Sequence, residues 1–476
     1  MAMDEETLAS MTLTFCIDGA ESLMHALVRG AGGAAGALRL LDGATRRDRD
    51  LDAALLKGLA RWGRRPSARG MAAFHTSVDR WRARLGELPS RDPASLEAWF
   101  TGDGTMWVLA PHHPAWPRRL DDLELRTDWA PPLCLWGLGD PWALSSCDEP
   151  VAVVGSRAVT DTGRYVARSV AQRAAAAGHL VVSGGALGVD AAAHWGALAA
   201  RDESGGDAGR TAAVFAGGLD HAGPARNREL FDRIQYGGGA LVSELCPGTI
   251  PEARRFLLRN RLIAALASLV VVAQARLRSG ALNTAGWACE LGRTVVAAPG
   301  EITSPAYAGC NRLIAGQKAA LLMAVTDIDS FCHRPHAPRA GGETGEPDIR
   351  PQDAPMAVPS SDPSRPTLFQ AQREPTGDGA DCAHEPAEGA SDGRERALLR
   401  AVDACARRHA KATVDGLLAV LNAGDGAALS PRPGKDADDE ACSAPFSVAE
   451  VNRLVGRLEM RGLLVVEGGV IRPRRR

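Results

Sequence analysis

The chain has 476 residues, of which 45% are hydrophobic and 24% are charged. These values are ordinary for globular proteins, and they exclude a chain that is disordered throughout. The 55 Lys and Arg residues are balanced by 57 Asp and Glu residues, which gives a formal net charge of −2. Net charge therefore indicates no polyanionic partner, and any nucleic-acid site has to be a local patch.

Cysteine spacing and apolar stretches bear on the cellular compartment. The ten cysteines form no Cys-x-x-Cys pair, which argues against a metal or redox site and favours a reducing cytosol. The first six residues lack the basic and apolar regions of a signal peptide. The most apolar stretch, 263–275, is too short to span a bilayer. We expect a cytoplasmic protein without membrane contact, metal or cofactor.

Residues 1–105 read as a helical N-terminal region. Within it, the span 29–91 carries 14 Lys and Arg residues against 6 Asp and Glu residues. This excess can serve nucleic-acid contact, but aromatic residues do not alternate with the basic ones. An arginine-rich, solvated helical surface is therefore the favoured interpretation.

From residue 150 to about residue 329, short apolar runs alternate with segments of helix length. Strands that are apolar throughout are typical of parallel sheets covered on both faces, and repeated strand–helix units predict a doubly wound, Rossmann-like α/β fold. The predicted strands are 151–154, 180–183, 212–216, 240–242, 269–273 and 295–298. The predicted helices are 161–177, 189–200, 226–236, 256–267 and 281–291.

The carboxyl ends of these strands are rich in Gly, Ser and Arg. In doubly wound sheets ligands bind at this edge, where backbone N–H groups and helix N-termini attract anions. Several such loops at one edge, together with an arginine, predict a site for phosphate or another oxyanion. The loops are Gly155-Ser156-Arg157, Ser183-Gly184-Gly185-Ala186, Gly217-Gly218, Ser243-Glu244 and Arg276 to Gly280.

Motifs for cofactor binding and catalysis are missing from the sequence. No Gly-x-Gly-x-x-Gly follows the first strand and no P-loop occurs, which argues against a dinucleotide cofactor and P-loop hydrolysis. Asp190 and His194 can form an acid–base pair, but helix capping and packing is the favoured interpretation. Glu244 and Glu290 have no second carboxylate or nucleophile at a useful spacing. The pattern indicates binding rather than catalysis.

Arg259, Asn260 and Arg261 begin a helix whose later residues are apolar. A buried charged cluster has to be paired internally or face a polyanion, since burying it alone is costly. Internal pairing with Glu244 or Glu290 is one interpretation. Contact with a polyanion is the favoured one.

Residues 112–330 resemble the DNA-processing protein A family, also called DprA or Smf. The resemblance implies binding of single-stranded DNA, usually by a homodimer, transfer of that DNA to a RecA-type recombinase in natural transformation, and no enzymatic activity. It rests on the strand-end loops above, on the Arg-Asn-Arg helix and on further strings. These are His113 to Leu120, Pro131 to Trp136, Gly217 to Asp220, Glu290 to Arg293, Pro299-Gly300 and Gly309 to Ile314.

The resemblance also implies which residues contact the DNA backbone. The usual Tyr-Pro after Asp220 is replaced by 221–224, so either Arg226 or Arg228 supplies the basic contact expected there. The predicted phosphate-binding set is Ser156, Arg157, Ser183, Gly184, Gly185, Arg226, Arg259, Asn260, Arg261, Ser279, Gly280 and Thr284.

The remaining segments complete the expected domain organisation. Residues 106–332 form the Rossmann-like DNA-binding domain, and 333–392, with ten prolines in sixty positions, a disordered linker. Residues 393–476 resemble the winged-helix domain that often follows in this family, with helices at 398–406, 413–421 and 447–461 before a hairpin. Two alternatives remain open: a nucleotide-processing hydrolase that uses the glycine-rich run before Glu290, and a winged-helix transcription factor.

Overall fold

The structure is a computed structural model that describes residues 3–17, 19–42, 48–125, 129–332 and 337–339. Nearer the C-terminus it describes residues 397–399, 401–402, 405, 412, 417, 421, 451, 454–455, 458, 464–467 and 470–473. The chain divides into two units, Met1–Gln352 and Asp353–Arg476. The predicted linker, apart from 337–339, lies outside the described residues.

The first unit begins with six helices, of which the first five enclose a core of their own. Asp4 caps the first of them by accepting a hydrogen bond from the Thr7 N–H at 2.9 Å. Their apolar faces enclose a cluster that includes Leu27, Phe74 and Trp81. The helices are α1 (Glu5–Cys16), α2 (Ser22–Ala31), α3 (Ala34–Asp42), α4 (Asp48–Arg61), α5 (Ala68–Leu85) and α6 (Pro93–Thr101).

A mixed sheet forms the centre of the first unit. Its order is β1-β2-β6-β5-β4-β3-β7-β8-β9, parallel from β6 to β9, whereas β1 and β2 join antiparallel at one side. The strands are β1 (Trp107–Leu109), β2 (Leu135–Gly139), β3 (Val151–Gly155), β4 (Val181–Ser183), β5 (Thr211–Val214), β6 (Ala240–Ser243), β7 (Leu269–Gln274), β8 (Thr294–Ala297) and β9 (Ala320–Leu321).

Helices cover both faces of this sheet. Successive residues of β3 point to opposite layers: Val151 and Val153 pack among α7 and α8, whereas Ala152 and Val154 pack among α10 and α11. The helices are α7 (Asp161–Ala176), α8 (Val189–Ser204), α9 (Arg228–Tyr236), α10 (Ala253–Leu266), α11 (Gly280–Glu290), α12 (Ala308–Ala315) and α13 (Ile328–Phe331). The predicted α/β, Rossmann-like architecture is confirmed.

The N-terminal helices share part of their core with the sheet. Met11 and Phe100 lie in one buried cluster with Trp136 and Phe215. The Trp136 indole N–H also donates to the Phe100 carbonyl at 3.0 Å. The helical region is thereby fixed against the β2–β6–β5 side of the sheet.

Strand order reverses between β3 and β7, which are neighbours although three other strands of the sheet separate them in sequence. At such a switch point the connections leave to opposite faces and open a crevice at the carboxyl ends of the strands. Among the helices that the structure describes, none is long and apolar enough to cross a membrane.

The second unit contains an antiparallel hairpin of β10 (Leu464–Glu467) and β11 (Val470–Pro473). Leu464 and Ile471 of this hairpin belong to a buried cluster with Leu398, Leu417 and Leu454. The described residues 397–399, 401–402, 405, 417, 421, 451, 454–455 and 458 are helical.

Candidate functional site

A cavity of about 440 Å³ lies at the switch point. It is open at the carboxyl ends of β3 and β7, where the sheet topology places a ligand site. Four segments form its walls: the loop after β3, the loop after β4 with the start of α8, the middle of α10, and the loop after β7 with the start of α11.

At the bottom of this cavity lies Arg259, whose residue surface is only 5% exposed. Its Nε and Nη1 atoms are buried and have no hydrogen-bond partner in the described part of the chain. Burial lowers the pKa of Arg259 to about 10, an effect that the Asp190 carboxylate partly offsets. The guanidinium is therefore charged at neutral pH. A buried charge with free donors is costly unless a ligand satisfies it.

Gly184 makes room for this guanidinium. A Cβ atom on Gly184 would overlap Arg259 Nη1 and lie 2.6 Å from Asp190 Oδ2. Asp190 is itself 8% exposed, and burial raises its pKa, whereas Arg259 counteracts that rise. The glycine is thus required because a side chain there would displace the buried cation.

Three further arginines line the mouth of the cavity, Arg157, Arg276 and Arg278. All three are exposed, and none forms an ion pair with a described carboxylate. The Arg157 guanidinium lies over the Phe256 ring, 4.8 Å from its centroid. With Arg259, four cations surround one opening, and Asp190 is the single acidic residue among the lining residues that the structure describes.

Gln274, at the end of β7, holds the loop that carries Arg157. Its main-chain carbonyl accepts from the Ser156 N–H at 2.8 Å. Its side-chain Oε1 accepts from the Thr160 N–H at 3.0 Å and from the Thr160 hydroxyl at 2.9 Å. Gly188, with φ +88°, lies against the Ser156 and Arg157 carbonyls, where a Cβ would clash. The loop is therefore fixed from both sides before any ligand binds.

The N-terminus of α11 forms the opposite wall. Ser279 caps this helix by accepting from the Ala281 N–H at 3.3 Å. Asn260 of α10 donates through Nδ2 to the Gly280 carbonyl at 3.2 Å, which ties the two helices together. A helix N-terminus adds about half a positive charge to the cavity.

The structure brings together seven of the twelve predicted phosphate-binding residues. The residues that line the cavity are Ser156, Arg157, Arg259, Asn260, Ser279, Gly280 and Thr284. The other five lie elsewhere. The Ser183 hydroxyl is buried and donates to the Val153 carbonyl at 2.6 Å. Gly184 makes room for Arg259 and lines a second, neighbouring cavity. The Gly185 carbonyl accepts from the Asn227 side chain at 2.9 Å. Arg226 is exposed and lines neither of these two cavities.

Arg261 requires a correction. Its side chain is fully buried and paired with Glu244, whose side chain is also buried. Helix α10 begins at Ala253 rather than at the predicted residue 256, so Arg259 lies in the second turn and Arg261 in the third. Two residues along a helix correspond to a rotation of about 200°, which directs the two arginines to opposite sides. The ion-pair interpretation therefore holds for Arg261, and the ligand interpretation fits the position of Arg259.

The predicted phosphate-binding set left out Arg276 and Arg278, although their loop was among the predicted oxyanion loops, and it also left out Phe256 and Gln274. An Arg-x-Arg directly after a strand and directly before the helix cap Ser279 was a usable signal for the first two, because it combines the strand-end and helix-start rules. Nothing in the sequence separates Phe256 or Gln274 from ordinary core residues.

A second cavity of about 300 Å³ adjoins the first and shares Arg157, Ala186 and Phe256 with it. Its other walls are mainly apolar and include Leu187, Phe215, Pro224 and Pro251. His221 also lines this cavity, so the segment 221–224, which departs from the family pattern, faces it. Cationic and apolar surfaces thus lie side by side along the carboxyl edge of the sheet.

The candidate catalytic groups are not arranged for catalysis. His194 is fully buried, and burial lowers its pKa to about 3. Its Nδ1 lies 2.7 Å from the Thr211 hydroxyl, beneath the sheet edge rather than in the cavity. Glu244 is occupied by Arg261. Within the described ranges, no three His, Cys, Asp or Glu side chains are grouped to hold a metal ion.

Fold and site together define a Rossmann-like protein with a cation-lined cavity at its switch point. The family described as DNA recombination-mediator protein A matches residues 107–333. The DNA processing protein DprA of Bacillus subtilis is 33% identical over 227 residues, which cover 48% of this chain and 70% of the relative. The chain therefore belongs to the DNA-processing protein A family, as the resemblance in the sequence predicted.

Two further similarities support this assignment. The putative DNA processing protein DprA of Mycobacterium tuberculosis is 46% identical over 200 residues, 42% of this chain. The match spans 49% of that relative, about half its length. The X-ray structure of DNA processing protein A from Streptococcus pneumoniae aligns with a TM-score of 0.50 and 25% identity, and covers 70% of this chain and 99% of that one.

Proposed function

We propose that this protein binds single-stranded DNA through the switch-point cavity, without catalysing a reaction on it. The observation that carries the proposal is the buried Arg259 guanidinium, which lines the cavity and whose Nε and Nη1 donors lack partners among the described residues. The same two atoms of Arg261 also lack partners, but Arg261 is not among the residues that line this cavity. Membership of the DNA-processing protein A family supports DNA as the source of the anion and agrees with a binding protein rather than an enzyme.

Phosphate is the group that best fits the cavity chemistry. Guanidinium groups bind phosphate oxygens through paired N–H donors, and such charge-assisted hydrogen bonds are the strong ones. The mouth arginines Arg157, Arg276 and Arg278 can then hold the neighbouring phosphates of one strand. Because contacts to phosphate position a strand without reading its bases, the proposal includes binding with little dependence on sequence.

The recessed position of Arg259 favours a single strand over a duplex. A phosphate can reach a 5% exposed guanidinium only if the backbone bends into the cavity. Duplex DNA has a persistence length of about 150 base pairs and resists such bending, whereas a single strand does not. Phe256, between the two cavities, offers an aromatic face on which a base can stack.

The hydrolase alternative is weakened by the position of Glu290. This residue ends α11, whereas the anion cavity lies at the other end of that helix. Ten residues of helix correspond to about 15 Å, too far for Glu290 to act on a group bound at Ser279 and Gly280. The buried His194 and the paired Glu244 do not replace it.

The proposal extends to the partners implied by the family. We infer that the protein acts in the cytoplasm as a homodimer, protects incoming single strands and transfers them to a RecA-type recombinase during DNA uptake. For the second unit we propose a winged-helix domain, supported by the β10–β11 hairpin and its shared cluster with helical residues. A transcription-factor role would leave the cavity of the first unit without a ligand.

The test compares DNA forms at fixed salt. Mobility shifts compare binding of a single-stranded oligonucleotide with binding of a blunt duplex of the same length. A parallel assay measures whether the protein releases base or phosphate from nucleoside monophosphates. We expect tighter binding of the single strand and no hydrolysis. Equal or tighter binding of the duplex would contradict the proposal, and turnover of a nucleotide would favour the hydrolase.

A further inference from the structure

A third cavity, of about 320 Å³, opens where the N-terminal helices meet the carboxyl end of β6. Its walls are the end of α1 at Thr14 and Phe15, the loop after β6 at Cys246 and Thr249, and three arginines. Its volume falls within the range of roughly 300–1,000 Å³ that is common for ligand sites. The proposed DNA site described above does not use it.

The three arginines are Arg80 and Arg84 of α5 and Arg255 of α10. No Asp or Glu is found among the lining residues that the structure describes. The acidic partners of the arginines lie outside the walls: Glu21 pairs with Arg80 at 2.7 Å, Glu87 with Arg84, and Glu252 with Arg255 at 3.5 Å.

The ion pairs of Arg80 and Arg84 leave these two cations accessible to a stronger anion, whereas Arg255 also donates to the Ile250 carbonyl. The side chains of Arg80 and Arg84 are 57% and 42% exposed. Exposed ion pairs of this kind contribute only about 0–1 kcal/mol, and each guanidinium carries five N–H donors. Arg84 also lies over the Phe15 ring, 4.2 Å from its centroid, which fixes its plane at the cavity wall.

Helix α10 links this cavity to the proposed DNA site. Arg255 lines the third cavity, Phe256 lines the first and second, and Arg259 lies at the bottom of the first. Arg255 and Arg259 are four residues apart, about one helical turn. In addition, Thr249 lines the third cavity and Pro251 the second, so the two cavities flank the same short segment, 249–251. Along the carboxyl edge of the sheet, the first cavity therefore lies at the ends of β7 and β3, the second at the ends of β4 and β5, and the third at the end of β6.

We propose that the third cavity binds a second stretch of the backbone of the same DNA strand, through Arg80, Arg84 and Arg255. The N-terminal helical region then contributes directly to the DNA path, a role that its arginine-rich sequence allows but does not favour. This inference rests on the proposed function, because it assumes that the first cavity holds single-stranded DNA.

The experiment measures the affinity of the full chain for labelled oligothymidines of about 3 to about 30 nucleotides, bracketing the site sizes of single-strand binders. The variant is Arg80→Ala with Arg84→Ala. The control is Arg69→Ala, which removes one exposed positive charge from the same helix outside the cavity. Each protein is also titrated with salt, since every lost single-strand phosphate contact lowers the slope of log affinity on log salt by about 0.7.

We expect the double variant to bind the shortest strand with the affinity of the wild type, and to bind strands long enough to reach the third cavity more weakly than the wild type does. Its salt slope on long strands should fall by about 1.4 for two lost contacts. The Arg69 variant should follow the wild type. If affinity depends on strand length identically in the variant and the wild type, the inference is overturned. An equal loss of affinity at every length would also overturn it, because it indicates an effect on the fold. If the wild type binds no oligothymidine, the proposed function itself fails.

Discussion

The substitution Gly184→Ala tests whether Arg259 has to occupy its buried position. The added methyl group would overlap Arg259 Nη1 and crowd Asp190 Oδ2. The guanidinium is the far end of a flexible side chain, so we expect it to move rather than the strand to break. The cavity would then lose its deepest cation, while the three arginines at its mouth stay in place.

The size of the effect follows from the contact that is lost. A hydrogen bond to a charged group contributes about 1.5–3 kcal/mol. At about 1.4 kcal/mol for each factor of ten, affinity for single-stranded DNA should fall roughly 10- to 150-fold. Extra volume in a packed region costs about 1–3 kcal/mol of unfolding free energy, which a folded domain of this size can tolerate.

Fluorescence anisotropy with a labelled single strand, beside chemical denaturation, measures both quantities. The matched control is Gly286→Ala in α11, where the new methyl group meets nothing within 4 Å. This control should bind like the wild type. A folded Gly184 variant with wild-type affinity and salt slope would refute the assignment of Arg259.

Three further predictions concern single residues. Arg157→Ala should lower the slope of log affinity on log salt for single-stranded DNA by about 0.7 in a folded protein. The control Arg168→Ala changes an exposed arginine of α7 and should leave this slope unchanged. Equal slopes for the two variants would count against a phosphate contact of Arg157. Arg261→Met leaves Glu244 buried without its partner and should lower the unfolding free energy by about 3–5 kcal/mol, seen in denaturant melts, whereas the folded fraction keeps its salt slope; a reduced slope would indicate that Arg261 contacts DNA. Burial lowers the pKa of His194 from 6.5 to about 3, so below pH 6.5 the unfolded chain binds a proton that the native protein does not, and native stability falls as pH falls. Between pH 6 and pH 5 this loss amounts to about 1 kcal/mol, which denaturant melts should find in the wild type and not in His194→Gln. An equal loss in both proteins would disprove the prediction.

The central sheet was predictable because its parallel strands are buried on both faces and therefore apolar throughout. All six predicted strands are present, with ends that differ by two residues or fewer. Of the three remaining strands of the sheet, β1 and β9 have only three and two residues, and β2 contains two glycines. Trp107 of β1 lies over Gly137 of β2, where a Cβ would overlap its indole, so this pair depends on a tertiary contact that composition does not reveal.

The site was predictable where chemistry and strand ends coincide, as at Arg157 and Ser279. It was not predictable where two identical residues differ only in direction. Arg259 and Arg261 look alike in sequence, and only the helix start and the partner Glu244 separate the ligand-facing cation from the structural one. Ser183 shows the same limit, because its hydroxyl satisfies a buried carbonyl instead of facing a ligand.

The most direct measurement is the affinity of Arg259→Met for a labelled single strand, titrated over salt at neutral pH and compared with the wild type. Methionine keeps the length and the apolar packing of the side chain and removes its charge. We expect a folded variant, checked by circular dichroism, with affinity reduced at least tenfold, as for loss of a charge-assisted hydrogen bond of about 1.5 kcal/mol or more. Its salt slope should be smaller by about 0.7. Unchanged affinity and slope in the folded variant would show that the buried cation does not hold a DNA phosphate, and would contradict the account.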